Sequence, residues 1–270
     1  MQNGRRDGKG GLSPRTVRHH HRTIHDALQH AVRWGLVLRN VAQAVDPPRF
    51  SNKEMMTLDQ VSVQGFLEVA RESEYFPLFH LLLFTGMRRP EALGLHWQNI
   101  NLDLLTLSVV HVMHQLKGGT VMFREPKSAR SRRLVDLTPS SGLVLREWRS
   151  HQEAVLGRPI SSNDLIVTLP GGSPMLPDSV THAFTKLVRA HGFNGLRLHD
   201  LRHSHATLML QQGIHPKIVQ ERLGHSSIQV TLDIYSHVAP GMQRAAALRF
   251  EEGLTASVTD TQKPVLQTLH

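Results

Sequence analysis

Several separated segments of the chain carry side chains able to act on an anion. They are Thr85-Gly86-Met87-Arg88-Arg89-Pro90-Glu91, Pro126-Lys127-Ser128, His199-Asp200-Leu201-Arg202-His203, and Leu223-Gly224-His225 followed by Tyr235. Guanidinium groups offer paired donors to anionic oxygens, a geometry that lysine, as a point charge, lacks. Imidazoles exchange protons near neutral pH, and a phenol, with an ordinary pKa of about 10, attacks once a base or nearby cations ease the loss of its proton. Taken singly, each segment is weak: an arginine at a helix start is usually a surface residue, and His-x-x-Arg arises often by chance. His199 and His203 also stand four apart, a spacing that can hold zinc, but no glutamate base lies between them as in metalloprotease motifs.

The chain has 2 tyrosines. Tyr75 begins an apolar stretch with Phe76 and Phe79 and reads as core, whereas Tyr235 follows the turn Gly224-His225-Ser226-Ser227 in a polar context and is the candidate nucleophile. Glu91 has no evident catalytic task and is expected to brace Arg88 or the helix that follows it.

The order of these groups resembles that of the tyrosine recombinases of the phage-integrase family: Arg, then Lys in a β-hairpin, then His-x-x-Arg, then His, then Tyr. The likeness spans about residues 57 to 250. It implies that Arg88, Lys127, His199, Arg202, His225 and Tyr235 form the active-site set of a site-specific DNA recombinase, which cleaves and rejoins strands through a 3′-phosphotyrosine intermediate in DNA integration and excision. Arg88 and Arg202 would neutralise the phosphodiester, Tyr235 would attack with His199 as base, and His225 would hydrogen-bond the phosphate. Lys127, on a mobile hairpin, would protonate the departing 5′ oxygen; Lys117, at the tip of the preceding turn, competes for that role. A phosphotyrosine conserves the energy of the cleaved bond, so no nucleotide cofactor is expected. The cations replace a metal, and no acidic cluster of the two-metal kind is present.

The implied partner is double-stranded DNA, with Arg15, Arg18, Arg22, Arg89, Arg130 and Arg132 as further contacts to it. A homotetramer on paired sites is expected, from a monomer when free, with the helical stretch Gly241 to Gly253 either closing its own core or docking on a neighbour. A type IB topoisomerase, which shares the chemistry without exchanging partners, and a catalytically dead DNA-binding remnant are the competing readings.

Composition agrees with an anionic partner. Lys and Arg number 31 against 22 acidic residues, a formal charge of +9, and the pI is about 10.6. The longest apolar run, Leu78 to Phe84, is interrupted by His80 and is too short to span a bilayer. The N-terminal MQNGRRDGKGG has neither an apolar segment nor a small-residue cleavage site, and the chain has 0 cysteines, excluding disulfides and thiolate chemistry. A cytoplasmic, nucleoid-associated protein of bacterial or phage origin is expected. The run His19-His20-His21 stands among Arg15, Arg18 and Arg22 and reads as a solvated basic face.

The elements that must position these groups follow from pattern. Ser13-Pro14 looks like an N-cap and first helical residue, and Val17, Ile24, Leu28 and Ala31 then recur at helical spacing to about Trp34. Thr57 with Gln60 predicts a capped helix to about Arg71, Phe76 to Thr85 predicts another that stops at Gly86, and Pro90 marks the first turn of a fourth. Between Leu104 and Leu137 the texture is that of strands: Leu105 to Val112, Val121 to Phe123 and Arg133 to Leu137, read as one three-stranded antiparallel sheet. Helices return at about Ser140 to His151 and from Pro177 onward. The expected fold is α+β and mainly α, a helical catalytic domain (57–254) with a small sheet. A partial, N-terminally short helical core-binding domain (1–48) and a linker (49–56) precede it, and a disordered tail (255–270) follows.

Overall fold

The computed structural model describes residues 10–49, 55–116, 118–126 and 131–238, with 244, 247, 248 and 250–252; for 235–238 it describes the backbone only. Two compact units divide the chain, Met1–Glu54 and Met55–His270. The expected tail lies outside the described residues, as does most of the stretch Gly241 to Gly253.

In the first unit, helix α1 (Pro14–Arg33) starts where its sequence says it should: the Ser13 hydroxyl accepts from the Thr16 N–H at 3.2 Å, and Pro14 takes the first helical position. A 3-10 turn, Val41–Ala44, folds back on α1, held by Asn40, whose side-chain amide donates to the His25 carbonyl at 3.0 Å.

The second unit is built around α3 (Phe76–Thr85). Leu78, Phe79, Leu81, Leu82 and Leu83 are all buried, so this helix is apolar around most of its circumference and lies inside the fold. Helices α2 (Gln60–Arg71) and α6 (Pro177–Ala190) bring Phe66 and Phe184 against Phe79, with ring centroids 6.5 Å (Phe66–Phe79) and 5.3 Å (Phe79–Phe184) apart. The cap of α2 is Asp59 rather than Thr57. Its carboxylate accepts from the Ser62 N–H at 2.8 Å and is a stronger acceptor for an exposed helix N-terminus than a hydroxyl.

The β region differs from the single sheet predicted. Strands β1 (Ile100–Asn101), β2 (Thr106–Val109) and β5 (Arg133–Asp136) form a three-stranded antiparallel sheet in the order β1-β2-β5, with Leu107 opposite Val135, both buried. Strands β3 (Val112–Gln115) and β4 (Val121–Arg124) form a separate hairpin. The stretch Leu105 to Val112 is thus two strands, not one, and the third strand of the sheet is β1. The hairpin leaves the sheet because it packs on α4 (Arg89–Leu93) at Gly94. A Cβ on Gly94 would stand 3.0 Å from both the His111 carbonyl and the Met113 nitrogen, so a larger residue would have to push the hairpin back by a few tenths of an ångström.

Helix α5 (Pro139–Leu156) follows the sheet, and α7 (Asp200–Gln211) lies against α3. The last helices, α8 (Pro216–Leu223) and α9 (Ile228–Val238), close a small second cluster with α7 through Ala206, Leu210, Val219, Leu223 and Ile234. Among the described residues no helix is long and apolar enough to cross a membrane.

Candidate active site

Two left-handed glycines at helix ends organise the site. Gly86 (φ 65°) terminates α3 and Gly224 (φ 66°) terminates α8. The Gly86 carbonyl accepts from Arg202 Nη1 at 2.7 Å, and the Gly224 carbonyl accepts from Arg88 Nη2 at 3.2 Å. Each arginine is therefore held at the negative end of a helix, where a cation is favoured. Neither glycine can be replaced without strain: a Cβ on Gly86 would stand 2.4 Å from Leu223 Cδ2, and one on Gly224 would stand 2.9 Å from Arg133 Nη1.

Beneath Arg88 lies Glu91, 2% exposed. Its carboxylate accepts from the Arg88 backbone N–H at 2.9 Å and from Arg88 Nη1 at 2.8 Å, the bracing role expected of it, and it pairs with Arg133 Nη2 at 2.8 Å. Burial acts to raise the Glu91 pKa, but the hydrogen bonds and charge of Arg133, with those of Arg88, outweigh it and hold the carboxyl below its ordinary value. A charge this deeply buried is tolerated only because both of its oxygens are paired.

Arg202 is 4% exposed, and its Nη2 is buried without a hydrogen-bond acceptor. Burial first, then the positive charges of Arg88 and Arg133, press its pKa down to about 9 against the opposing pull of Glu91, so it remains a cation at neutral pH. Concentrated positive charge with a buried, unsatisfied donor is what an anionic ligand would relieve.

The imidazoles stand around this pair. His225 follows Gly224, is 8% exposed, and its Nδ1 shares a 2.9 Å hydrogen bond with the hydroxyl of buried Thr231 on α9. Burial, then Arg202 and Arg88, lower its pKa to about 3. His199 stands at the N-terminal end of α7, its side chain making no capping hydrogen bond, with its ring perpendicular to that of His203 and the centroids 4.8 Å apart. Its pKa is lowered to about 4 by desolvation first, then by His203, Arg202 and Arg88, although the residue as a whole is exposed. Both imidazoles are therefore neutral at pH 7. Among the described residues no group of three or more His, Cys, Asp or Glu is placed to hold a metal ion.

Arg88, His199, Arg202 and His225 are thus brought close enough for their charges to act on one another. Tyr235 lies on α9, one turn beyond Thr231, with its backbone described and its side chain not. Lys127, its competitor Lys117 and Arg130 fall outside the described residues. Of the other basic residues singled out, Arg132 is exposed beside Glu125 at 3.3 Å, and Arg15, Arg18 and Arg22 are exposed on α1, Arg22 4.0 Å from Asp26. Arg89 instead turns into the fold, donating to the Pro177 carbonyl at 2.8 Å and to the Thr181 hydroxyl. Beside His225 opens a groove of about 1010 Å³, lined by Arg132, Arg133, Lys217 and Gln220 among others.

Sequence reasoning missed Arg133. The signal was present: on β5 it alternates in step with buried Val135, so it belongs to the inward face.

A helical body carrying two glycine-held guanidinium groups and two neutral imidazoles has the charge and the donors to hold an anion. The family model for the phage integrase family matches residues 56–242, and the chain belongs to that family, one of DNA strand-cleaving and rejoining enzymes. It is 26% identical over 246 residues to the ICEBs1 integrase of Bacillus subtilis, covering 90% of this chain and 67% of that one. It is also 26% identical over 250 residues to a tyrosine recombinase XerC-like protein of Caldanaerobacter subterraneus, covering 85% and 64%. The chain therefore spans about two thirds of the length of these relatives. Among solved structures it resembles the Tn1549 transposon integrase in complex with a circular intermediate DNA (TM-score 0.76, 19% identity, 87% of this chain and 80% of that one). It also resembles a lambda integrase dimer bound to a core site (TM-score 0.54, 21% identity, 80% and 57%). At these identities the likeness is one of fold.

Proposed function

We propose that the chain is the cleaving and rejoining part of a site-specific DNA recombinase acting on double-stranded DNA through a 3′-phosphotyrosine. The observation that supports this most is the guanidinium pair on the two glycine-ended helices, with Arg202 Nη2 buried and unsatisfied.

In this mechanism Arg88 and Arg202 hold the non-bridging oxygens of the scissile phosphate. The Tyr235 oxygen attacks phosphorus, forming the phosphotyrosyl bond and breaking the bond to the 5′ oxygen. Its proton passes to His199, which is neutral and able to accept it; a bound phosphate anion raises the basicity of that imidazole. With Nδ1 engaged by Thr231, His225 offers Nε2 to the phosphate. Lys127 supplies the proton that the 5′ oxygen takes as it leaves. Attack by a second 5′ hydroxyl reverses each transfer and needs no energy source.

Residues 1–48 serve as part of a helical DNA-binding domain whose exposed face carries Arg15, Arg18 and Arg22, residues 49–56 as its linker and 57–254 as the catalytic domain. Arg130 and Arg132 are further candidates for contact with the DNA backbone. Arg89 serves the packing of α4 on α6 instead. Four copies act together on paired sites, and the protein works at the nucleoid.

Incubating the chain with nicked duplexes covering the DNA that flanks its own gene, in the presence of a chelator, tests this on denaturing gels. A covalent protein–DNA band in wild type and none in Tyr235→Phe is expected. Salt-sensitive binding with no band would point to an inactive remnant, and relaxation of plasmids lacking any site would point to a topoisomerase; the named relatives, integrases and recombinases, favour neither.

A further inference from the structure

Arg222 and His205 lie outside every motif noted in the sequence, yet they tie the supports of both guanidinium groups together. Arg222, in the last turn of α8, reaches the C-terminal end of α3. Its Nη2 donates to the Phe84 carbonyl at 3.0 Å and its Nε donates to His205 Nε2 at 3.1 Å. Accepting at Nε2 fixes the other imidazole nitrogen as the N–H. The His205 ring also closes over Gly86, where a Cβ would stand 2.7 Å from its Cδ2, and the Gly86 carbonyl is the one that holds Arg202. In the other direction the Arg222 carbonyl accepts from Arg133 Nε at 2.7 Å, Arg133 grips Glu91, and Glu91 grips Arg88. One residue thus supports Arg202 through its side chain and Arg88 through its backbone.

A charged side chain beside the apolar cluster of Ala206, Leu210, Val219, Leu223 and Ile234 adds little stability over a hydrophobic replacement. What it adds is direction, since two donors in a planar fork fix the turn at Phe84 to Gly86 relative to α8. We propose that Arg222, with His205, is a positioning residue: it sets the attitude of Arg202 and Arg88 toward the phosphate without touching the phosphate itself. The inference rests on the reading above, in which those two arginines hold the scissile phosphate.

Two measurements on the full chain test it. In the first, amide hydrogen exchange of the free protein, Arg222→Leu should speed exchange by roughly 5-fold or more in peptides covering residues 84–89 and leave α2 and α6 unchanged. Unchanged exchange at 84–89, or an equal rise throughout the fold, overturns the proposal whether or not the chain cleaves DNA. In the second, Arg222→Leu should slow single-turnover adduct formation on the nicked duplexes by roughly 10- to 100-fold at saturating DNA, with Kd within about 3-fold of wild type. Arg222→Lys, which keeps one donor, should recover part of the rate. On a duplex whose scissile phosphate is a neutral methylphosphonate, which asks less of the guanidinium pair, the loss should shrink to less than about 3-fold. A wild-type rate in Arg222→Leu, or a loss that is as large on the methylphosphonate, sinks the positioning role. No adduct from wild type itself counts against the recombinase reading, and the exchange measurement then decides the positioning role alone.

Discussion

At the scale of single residues, the site is governed by one buried carboxylate. Glu91 neutralises Arg88 and Arg133 together, and all of its polar capacity is engaged below the surface from which Arg88 works. Glu91→Gln leaves Arg133, itself nearly buried, without its counter-charge. The expected loss is about 3 kcal/mol or more in urea unfolding, together with slower cleavage. A variant within about 0.5 kcal/mol of wild type would show that the pair contributes little. How much of this was legible varied with the physics of each residue. Arg88, His199, Arg202 and His225 stood out because short motifs set their type and order. Arg133 was discernible only by counting along a strand whose limits were uncertain, and the contact between Arg222 and His205 joins helices that no local pattern relates.

At the scale of elements, the glycine-ended helices place the chemistry. Gly86→Ala combines a left-handed backbone with a crowded Cβ and is expected to lose roughly 2–4 kcal/mol by chemical denaturation. Gly157, at the end of α5, has the same kind of backbone (φ 64°) but nothing within 4 Å of a Cβ, so Gly157→Ala should lose only about 1–2 kcal/mol. Equal losses would mean that the crowding against Leu223 and His205 is relieved easily. Helices α1 and α3 could be read in advance because Ser13-Pro14 and the apolar run ending at Gly86 are local signals. The division of the β region could not. Leu107, Val109 and Met113 are all buried on the same alternation, interrupted only by half-buried His111, so the local pattern runs across the point where the strands part, while the hairpin packs at Gly94, far from either strand in the sequence. Thr57 and Asp59 were both able to cap α2, and the carboxylate prevailed.

At the scale of the whole molecule, charge and protonation set the working conditions. The formal charge of +9 predicts DNA affinity that falls steeply with added salt, measured as the slope of log K against log salt. Acid should weaken the fold itself. His80, 5% exposed and stacked on Phe84 at 4.2 Å, has its pKa held to about 4 by burial and then by Arg71, below the ordinary value of 6.5. Unfolding therefore takes up a proton between those values. The stability that His80 contributes is complete above about pH 6.5 and declines as the pH falls toward 4, by at most about 1.4 kcal/mol per pH unit. Comparing urea midpoints at pH 7 and pH 5, His80→Phe should show a smaller drop than wild type; an equal drop would place the acid sensitivity elsewhere.

In the proposed mechanism Tyr235 carries the DNA strand. This is tested most directly by trapping the adduct on a nicked duplex, digesting the protein, and locating the nucleotide-bearing residue by mass spectrometry. A single 3′-phosphodiester link on the α9 peptide at Tyr235 is expected. A link on Tyr75, on a serine, or surviving in Tyr235→Phe would contradict it.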